Sequence, residues 1–159
     1  MNIRIVAVGK IKDIYILKGI EEFEKRLSRY CKLEIIQVRD EKAPENLSTR
    51  QKQAVKELEA DRILKNIKEG SYVIALAIDG KSFTSEEFAK KLEMLAVGGH
   101  SNISFVIGGS LGLHDKVLKR ADIQLSFSAF TFPHQLMRLI LLEQIYRGYR
   151  IINGEPYHK

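Results

Sequence analysis

The sequence is poor in cysteine and proline and contains no tryptophan: its 159 residues include one cysteine and three prolines. A single thiol has no intramolecular partner, so no disulfide framework holds the fold together. A chain of this length forms one ordinary domain that buries about 70% of its unfolded surface, so it needs no disulfide or metal for stability. Cys31 lies between a helical and a strand pattern, and we expect a buried, unreactive thiol.

Long hydrophobic runs are also missing. No segment has the roughly 18 consecutive apolar residues of a membrane-spanning helix, and the first residues do not join a basic flank to a long apolar stretch. These absences predict a cytoplasmic protein without a membrane partner. The 26 Lys and Arg exceed the 20 Asp and Glu, giving a formal net charge of +6. This excess favours a polyanionic partner, although charge alone is weak support.

Several motifs for nucleotides and metals are absent. The sequence has no GxxxxGK[ST] phosphate loop, and no GxGxxG follows its first apolar run, where a dinucleotide-binding fold requires it. Its four histidines form no HExxH motif, and one cysteine cannot form CxxC. We therefore expect no metal site.

Apolar runs alternate with helical periodicity along the chain, without a repeat or a low-complexity linker. Strands are predicted at residues 3–8, 33–38, 72–78, 103–107 and 123–127. Helices are predicted at 16–30, at 48–68 after a Ser48–Gln51 capping box, at 84–97 after Thr84 and Glu87, and from Pro133 onward. This alternation predicts a single α/β domain over residues 1–159, with a mostly parallel sheet and helices on both faces.

Three turns leave the carboxyl ends of the later predicted strands. They cover residues 78–80, 107–112 and 127–133, and the first contains an Asp-Gly pair that is typical of a chain reversal. In parallel sheets, ligands bind outside the carboxyl ends of the strands. Glycine allows a ligand to approach bare backbone closely. We expect a small-molecule site where these turns meet.

The predicted final helix is apolar on nearly every face. Its apolar residues are Leu136, Met137, Leu139, Ile140, Leu141, Leu142, Ile145 and Tyr146. Such a helix must be covered on all sides, and a sheet covers only one. A second subunit is the simplest cover, and a central position within the monomer is the alternative.

The turn GGSLG at residues 108–112 matches the GxSxG motif of serine hydrolases, with Ser110 as the nucleophile. Acidic residues and histidines follow it in hydrolase order: Asp115, Asp122, His134 and His158. The chain is short for such an enzyme, and no HGGG-type segment precedes the turn. A serine esterase is therefore a minor alternative.

Several ordered motifs carry a more specific resemblance. They are IVAVGK (5–10), DEKAPE (40–45), FVIGG (105–109), LSFS (125–128), FPHQLMR (132–138) and YHK (157–159). Together they make the whole chain similar to the ribosomal RNA large subunit methyltransferase H family, the smallest members of the SPOUT superfamily.

This resemblance implies an enzyme that uses S-adenosylmethionine to methylate N3 of a pseudouridine in 23S ribosomal RNA. It also implies a homodimer that acts on assembled ribosomes, and a trefoil knot in the carboxyl half, a topology that general connection rules disfavour. A noncatalytic ribosome-binding protein remains the main alternative.

By match to the family's motifs, the cofactor contacts are Leu76, Gly108, Phe127, Ser128, Ala129, Phe130, Thr131 and Phe132. The residues themselves agree with this assignment. Leu76, within a strand that is apolar on both faces, offers an apolar wall, and the turns offer backbone N–H and C=O groups to an adenine edge and a ribose.

The candidate catalytic residues are His158, Tyr157 and Arg138. His158, beside Tyr157, is the available base that titrates near neutrality. Arg138 follows His134 by one helical turn, after a helix start that Thr131 could cap. Its role is either a solvent-facing salt bridge or the placement of tail or RNA.

The remaining carboxyl-terminal cations are Lys159, Arg147 and Arg150. We expect them to contact phosphates, because Lys and Arg near RNA neutralise charge without reading bases.

Overall fold

The computed structural model describes residues 1–157, in which five strands alternate with five helices. The strands are β1 (Asn2–Val8), β2 (Lys32–Val38), β3 (Tyr72–Ser82), β4 (Asn102–Ile107) and β5 (Ile123–Ser126). The helices are α1 (Ile14–Leu27), α2 (Thr49–Asn66), α3 (Ser85–Val97), α4 (Asp115–Arg120) and α5 (His134–Ile152). The predicted α/β alternation is confirmed, with α4 as an additional element.

All five strands join one sheet in the order β2-β1-β4-β3-β5, and every neighbouring pair is parallel. Helices α1, α3 and α5 pack on one face, and α2 and α4 pack on the other. Because parallel strands share one direction, their carboxyl ends all meet at one edge of the sheet. The predicted helices on both faces are confirmed.

Strand β1 shows why the sheet is buried on both sides. Ile3, Ile5 and Ala7 belong to the core beneath α1, α3 and α5, whereas Val6 and Val8 belong to the core beneath α2 and α4. Successive side chains of a strand point to opposite faces. A strand with two covered faces is therefore apolar at nearly every position.

Strand β3 corrects one prediction, because it continues through Asp79 and Gly80 instead of turning there. Its pairing with β5 shifts register between Leu76 and Lys81, as at a β-bulge. A Cβ on Gly80 would lie 2.6 Å from the carbonyl oxygen of Gln124. The Asp-Gly pair thus marks a bulge where β3 and β5 approach each other closely. It was mistaken for a turn because turns and bulges favour the same residue types.

Helix α4 was missed because its six residues are too few for a periodic apolar pattern. Val117 is its buried residue. The available signal was charge, with Asp115 in the first turn and Lys119 and Arg120 in the last. That distribution complements the helix dipole.

Both predicted capping boxes form. The hydroxyls of Ser48 and Thr84 accept hydrogen bonds from the backbone N–H groups of Gln51 and Glu87, at 3.2 and 3.1 Å. Helix α2 ends at Asn66, two residues before its predicted end. The starts of these helices were therefore predicted more accurately than the end of α2.

The monomer itself covers much of α5. Leu141, Leu142 and Ile145 are fully buried against the sheet, and α1 and α3 pack on either side of the helix. Leu139 lies against Gly19 of α1, where a Cβ would be 2.8 Å from the leucine methyls. The alternative of a central helix thus accounts for much of its apolar character. No helix within residues 1–157 is long and apolar enough to cross a membrane.

Cys31 is a buried free thiol, as predicted. Burial raises its pKa to about 11, so only about 0.1% is thiolate at pH 8. We expect iodoacetamide to modify the native protein at least about 100-fold more slowly than the protein in guanidinium chloride. Mass spectrometry of timed samples measures both rates. Comparable rates in the two states would contradict the buried assignment.

Candidate functional site

A cavity of about 770 Å³ opens at the carboxyl ends of β3, β4 and β5. Residues 76–78, 107–113 and 127–134 supply most of its lining, and Leu118 of α4, Leu125 of β5 and Met137 of α5 complete it. The walls are mainly apolar, with backbone exposed at the glycines. These stretches overlap the three segments that the sequence placed at the ligand-binding edge, although Ile78 is the one residue of 78–80 that lines the cavity.

Seven of the eight predicted cofactor contacts line this cavity: Leu76, Gly108, Phe127, Ser128, Phe130, Thr131 and Phe132. Ala129 lies between two lining residues but does not itself line the cavity. The fold therefore brings together a residue of β3 and the segments that follow β4 and β5, which are separated by up to about a third of the sequence.

Residues 108–112 form a tight glycine turn. The N–H of Gly112 donates to the carbonyl of Gly109 at 3.1 Å, and Gly112 has a φ of +83°, which favours glycine. A Cβ on Gly108 would lie 2.8 Å from the carbonyl carbon of Gly112. Bare backbone is thus required where this turn lines the cavity.

Two serine hydroxyls shape the opposite wall. Ser126 donates to the carbonyl of Ser128 at 3.3 Å, and the backbone N–H of Phe130 donates to the hydroxyl of Ser128 at 3.1 Å. Phe130 is 78% exposed at the edge of the cavity. The chain after β5 is therefore held as a defined turn that presents an aromatic side chain to solvent.

Helix α5 starts at this wall. It begins at His134 directly after Pro133, with no side-chain cap, so the interpretation of Thr131 as a cap was wrong. His134 lines the cavity. Burial and the charge of Arg138 lower the pKa of His134, while the charge of Asp40 raises it.

Among residues 1–157, no cluster of three or more His, Cys, Asp and Glu could hold a metal ion.

We expect His134 to titrate below the usual value of about 6.5 for histidine. Because the folded pKa is lower than the unfolded pKa, the unfolded state binds more protons, and stability falls as pH drops below about 6.5. NMR titration of the imidazole measures the midpoint. In the control variant His134→Gln, the loss of stability between pH 7.5 and 5.5 should be smaller. A midpoint at or above the usual value would contradict the prediction.

Comparison with known proteins supplies the family. A family model described as predicted SPOUT methyltransferase matches residues 1–158. The ribosomal RNA large subunit methyltransferase H of Clostridioides difficile is 67% identical, and that of Alkaliphilus oremlandii is 65% identical, with all of each chain covered. The chain belongs to this methyltransferase family. It is therefore an enzyme of the SPOUT type that uses S-adenosylmethionine.

Solved structures agree at the level of the fold. A probable methylase family protein from Haemophilus influenzae superimposes with a TM-score of 0.57 at 17% identity, covering 99% of this chain and 70% of that one. A putative methylase family protein from Neisseria gonorrhoeae gives 0.51 at 11% identity, covering 91% and 81%. At these identities the likeness supports the α/β architecture alone.

The cavity is compatible with the family's cofactor. Its volume of about 770 Å³ lies within the range of roughly 300–1,000 Å³ for small-molecule sites, which combine apolar walls with a few polar groups. The glycine turn lines the cavity with backbone, and it is packed so tightly on itself that a Cβ on Gly108 would collide with its own chain. The residues present therefore fit a compact molecule with a planar ring and polar edges, as S-adenosylmethionine has.

Arg138 differs from its predicted description. It is 1% exposed, so the solvent-facing salt bridge was wrong. Its Nη2 donates to the carbonyl oxygens of Val8 and Gly9 at 2.7 and 2.6 Å, and Nη1 donates to Gln37 at 3.2 Å. Arg138 also does not line the cavity. The structure supports an anchoring role for this residue, by which α5 is fixed to the ends of β1 and β2.

The carboxyl-terminal tail lies on α3 and α5. Tyr157 donates to Glu86 at 3.2 Å, and its carbonyl accepts from Arg147 at 2.8 Å. Arg150 donates to the carbonyl of Pro156 at 2.7 Å. The two arginines thus hold the tail, and their contact with phosphates stays a prediction.

Tyr157 does not line the cavity of its own chain. Arg147, which holds it, lies 13 residues after His134 in α5, a distance of about 20 Å along a helix. His158 and Lys159 lie outside the described residues. The tail and the start of α5 are therefore well separated within one chain.

Ser110 lacks the surroundings of a hydrolase nucleophile. It is exposed in the glycine turn, and α4 begins five residues later, whereas a nucleophile elbow leads from strand to helix through the serine itself. Within residues 1–157, no histidine forms a hydrogen bond with Ser110. The nearby His114 instead accepts from the N–H of Lys116 as a helix cap. The GxSxG match is a feature of the methyltransferase turn.

Sequence reasoning missed several lining residues. Leu113, Leu118 and Met137 are ordinary apolar residues whose place in the wall follows from packing. Leu118 belongs to the short α4, which had no periodic pattern to reveal it. Met137 was noted as part of an apolar helix, but its direction depended on how α5 is seated.

Proposed function

We propose that this protein transfers the methyl group of S-adenosylmethionine to N3 of a pseudouridine in 23S ribosomal RNA. The observation that carries the proposal is the cavity at the carboxyl ends of β3, β4 and β5, lined by seven of the eight cofactor contacts expected for the family. Relatives named ribosomal RNA large subunit methyltransferase H match the chain along its full length. We further propose that residues 1–159 act as one catalytic domain in the cytoplasm.

In this proposal the residues that would hold the cofactor form the two walls of the cavity. Leu76 would contribute an apolar surface, and Gly108 and residues 127–132 would contribute backbone groups to the adenine and ribose. When bound, S-adenosylmethionine supplies a methyl group that is already activated by its sulfonium centre. The protein then contributes mainly orientation and exclusion of water, which can supply most of the rate for such a transfer.

The acceptor nitrogen carries a weakly acidic proton that must leave. We propose His158, with Tyr157, as the group that receives or orients this proton, because a histidine titrates in the working range of pH. His134, which lines the cavity and whose pKa is lowered, is held largely neutral near pH 7. A neutral imidazole can accept a hydrogen bond from the RNA nucleobase that enters the cavity.

We propose a homodimer in which the tail of one subunit completes the cavity of the other. Support comes from the position of Tyr157 on α3 and α5, away from its own cavity. Support also comes from Ile14 and Tyr15, which are 68% and 67% exposed at the start of α1, the helix that packs on α5. A second copy would cover this apolar surface.

Mixing two inactive variants tests the shared site. We expect deletion of residues 157–159 and the substitution Gly108→Val each to abolish turnover. Mixed dimers then regain one intact site per heterodimer, or about a quarter of the wild-type activity after random exchange. If each tail served its own cavity, the mixture would stay inactive. Full activity of the variant that lacks residues 157–159, measured by itself, would also contradict the proposal.

The proposed path of the carboxyl half is a trefoil knot. The sheet order supports it, because β4 lies between β1 and β3, whereas β5 lies at the edge. After β5 the chain returns to pack α5 on α1 and β4. Such a return past earlier strands is unusual for open α/β sheets.

Methyl transfer to ribosomes tests the function directly. Purified protein and radiolabelled S-adenosylmethionine are incubated with ribosomes from a strain that lacks this methylation, and nucleosides of the large-subunit RNA are then analysed. We expect label in a single N3-methylpseudouridine. Ribosome binding should weaken steeply with salt, because the basic chain contacts phosphates. Binding without any label, with competent ribosomes and cofactor, would favour the noncatalytic alternative.

A further inference from the structure

Glu59 of α2 is a buried carboxylate that the proposed cofactor contacts do not include. Its side chain is 5% exposed, and burial raises its pKa. Carboxylates are rarely buried unless their oxygens have partners. The groups around Glu59 are therefore informative about why an ionisable side chain occupies this place.

On one side Glu59 holds the start of the loop that follows β2. Its Oε2 accepts a hydrogen bond from the backbone N–H of Glu41 at 3.0 Å. Arg62, three residues further along α2, donates to the carbonyl of Arg39 at 2.9 Å and pairs with the carboxylate of Glu41. Two side chains of α2 thus fix residues 39–41 by both backbone and side-chain contacts.

On its other side Glu59 lies against the back of the glycine turn. A Cβ on Gly109 would be 3.3 and 3.4 Å from the two carboxylate oxygens, and 3.1 Å from a methyl group of Val8. Gly109 itself lines the cavity. The carboxylate therefore fills the space between the loop and the turn.

The loop that Glu59 holds also reaches the edge of the site. Asp40 and His134 both approach Gly9, at 3.9 and 4.0 Å from the position of a Cβ on that glycine. His134 lines the cavity. The loop start, the glycine turn and the start of α5 are consequently neighbours around one opening, and Glu59 contacts two of the three.

We propose that Glu59 is a positioning residue for methyl transfer, which fixes residues 39–41 against the back of the glycine turn and so sets the shape of the cofactor cavity. The proposal rests on the proposed function of that cavity. Glu59 acts through the turn and the loop and does not touch the cofactor or the RNA. Loss of its carboxylate should therefore change cofactor binding and turnover, although the fold is retained.

The test compares Glu59→Ala with Glu59→Gln, which keeps the size and one oxygen acceptor. The control is Glu57→Gln, two residues away on α2, whose side chain is 50% exposed and pairs with Lys116. Titration calorimetry measures the Kd for S-adenosylmethionine, and ribosome assays give KM and kcat. We expect Glu59→Ala to weaken cofactor binding about tenfold and to lower kcat, Glu59→Gln to recover most of both, and the control to match wild type.

A purely structural role predicts a different result. Glu59→Ala would then lower the melting temperature but leave Kd, KM and kcat of the folded protein within about twofold of wild type, and this outcome overturns the proposal. If Glu59→Ala does not fold, Gly109→Ala presses on the same contact from the turn and should weaken cofactor binding similarly. An unchanged Kd in folded Gly109→Ala would also overturn it. The Kd for the cofactor tests the role of Glu59 even if the wild-type protein does not methylate ribosomes. That failure would refute the proposed function but not the role of Glu59.

Discussion

Gly108→Ala should weaken binding of S-adenosylmethionine by about 10- to 100-fold, the equivalent of about 1–3 kcal/mol of overpacking. The added Cβ would lie 2.8 and 2.9 Å from the carbonyl carbon and oxygen of Gly112, and 3.1 Å from a methyl group of Leu113. Two of these three neighbours are backbone atoms, which cannot rotate away. The turn must therefore shift, and it forms one wall of the cavity.

Gly70→Ala is a suitable control for this prediction. Gly70 precedes β3, at the amino ends of the strands, whereas the cavity lies at their carboxyl ends. Nothing lies within 4 Å of the Cβ position of Gly70. Its φ of +70° makes alanine strained there, so some stability is lost, by about 1–2 kcal/mol. Titration calorimetry should show an unchanged Kd for this control. Wild-type affinity in folded Gly108→Ala would contradict the assignment of the turn to the cofactor.

Arg138→Met should lower the free energy of unfolding by about 2–4 kcal/mol, because it leaves the carbonyls of Val8 and Gly9 buried without their donor. Removing a buried cation also removes its desolvation cost, which lowers the pKa of Arg138 to about 10. That gain is smaller than the cost of leaving the two carbonyl groups buried without a hydrogen-bond donor. For a chain of this size, the melting temperature should fall by about 5–15 °C.

Arg26→Met provides the matched control on α1. Arg26 pairs with Glu22 at the surface, its guanidinium lies 5.3 and 5.6 Å from the ring centroids of Phe23 and Tyr146, and its side chain is 47% exposed. Its loss should therefore cost about 1 kcal/mol. Urea unfolding followed by circular dichroism measures both variants. Equal stabilities of Arg138→Met and Arg26→Met would show that the buried hydrogen bonds contribute little. Arg138→Lys should be intermediate, since lysine keeps the charge but not the planar set of donors.

Local patterns predicted most of the elements correctly. The capping boxes at Ser48 and Thr84 and the apolar run of β4 depend on residues close together in the chain, and all three appear where the sequence placed them. The errors arose where local signals were short or ambiguous. Helix α4 has only six residues, and the Asp79-Gly80 pair suits a bulge as well as a turn.

The candidate site divides in the same way. Glycine turns after strands identified the cavity edge, and the resemblance to a family supplied seven residues that line it. Leu118 and Glu59 gave no comparable signal. An apolar residue and an acidic residue on helices are common, and only the packing of α4 and α2 onto the sheet brings them to the cavity and its rear wall.

The sequence by itself determined the alternation of strands and helices, the starts of the capped helices and the positions of the flexible glycines. These depend on interactions within one or two turns of chain. The tertiary structure alone decided the strand order, the closure of the cavity and the burial of Arg138, which bonds to Val8 across 130 residues. Contacts at such separations depend on the path of the whole chain, which local periodicity does not encode.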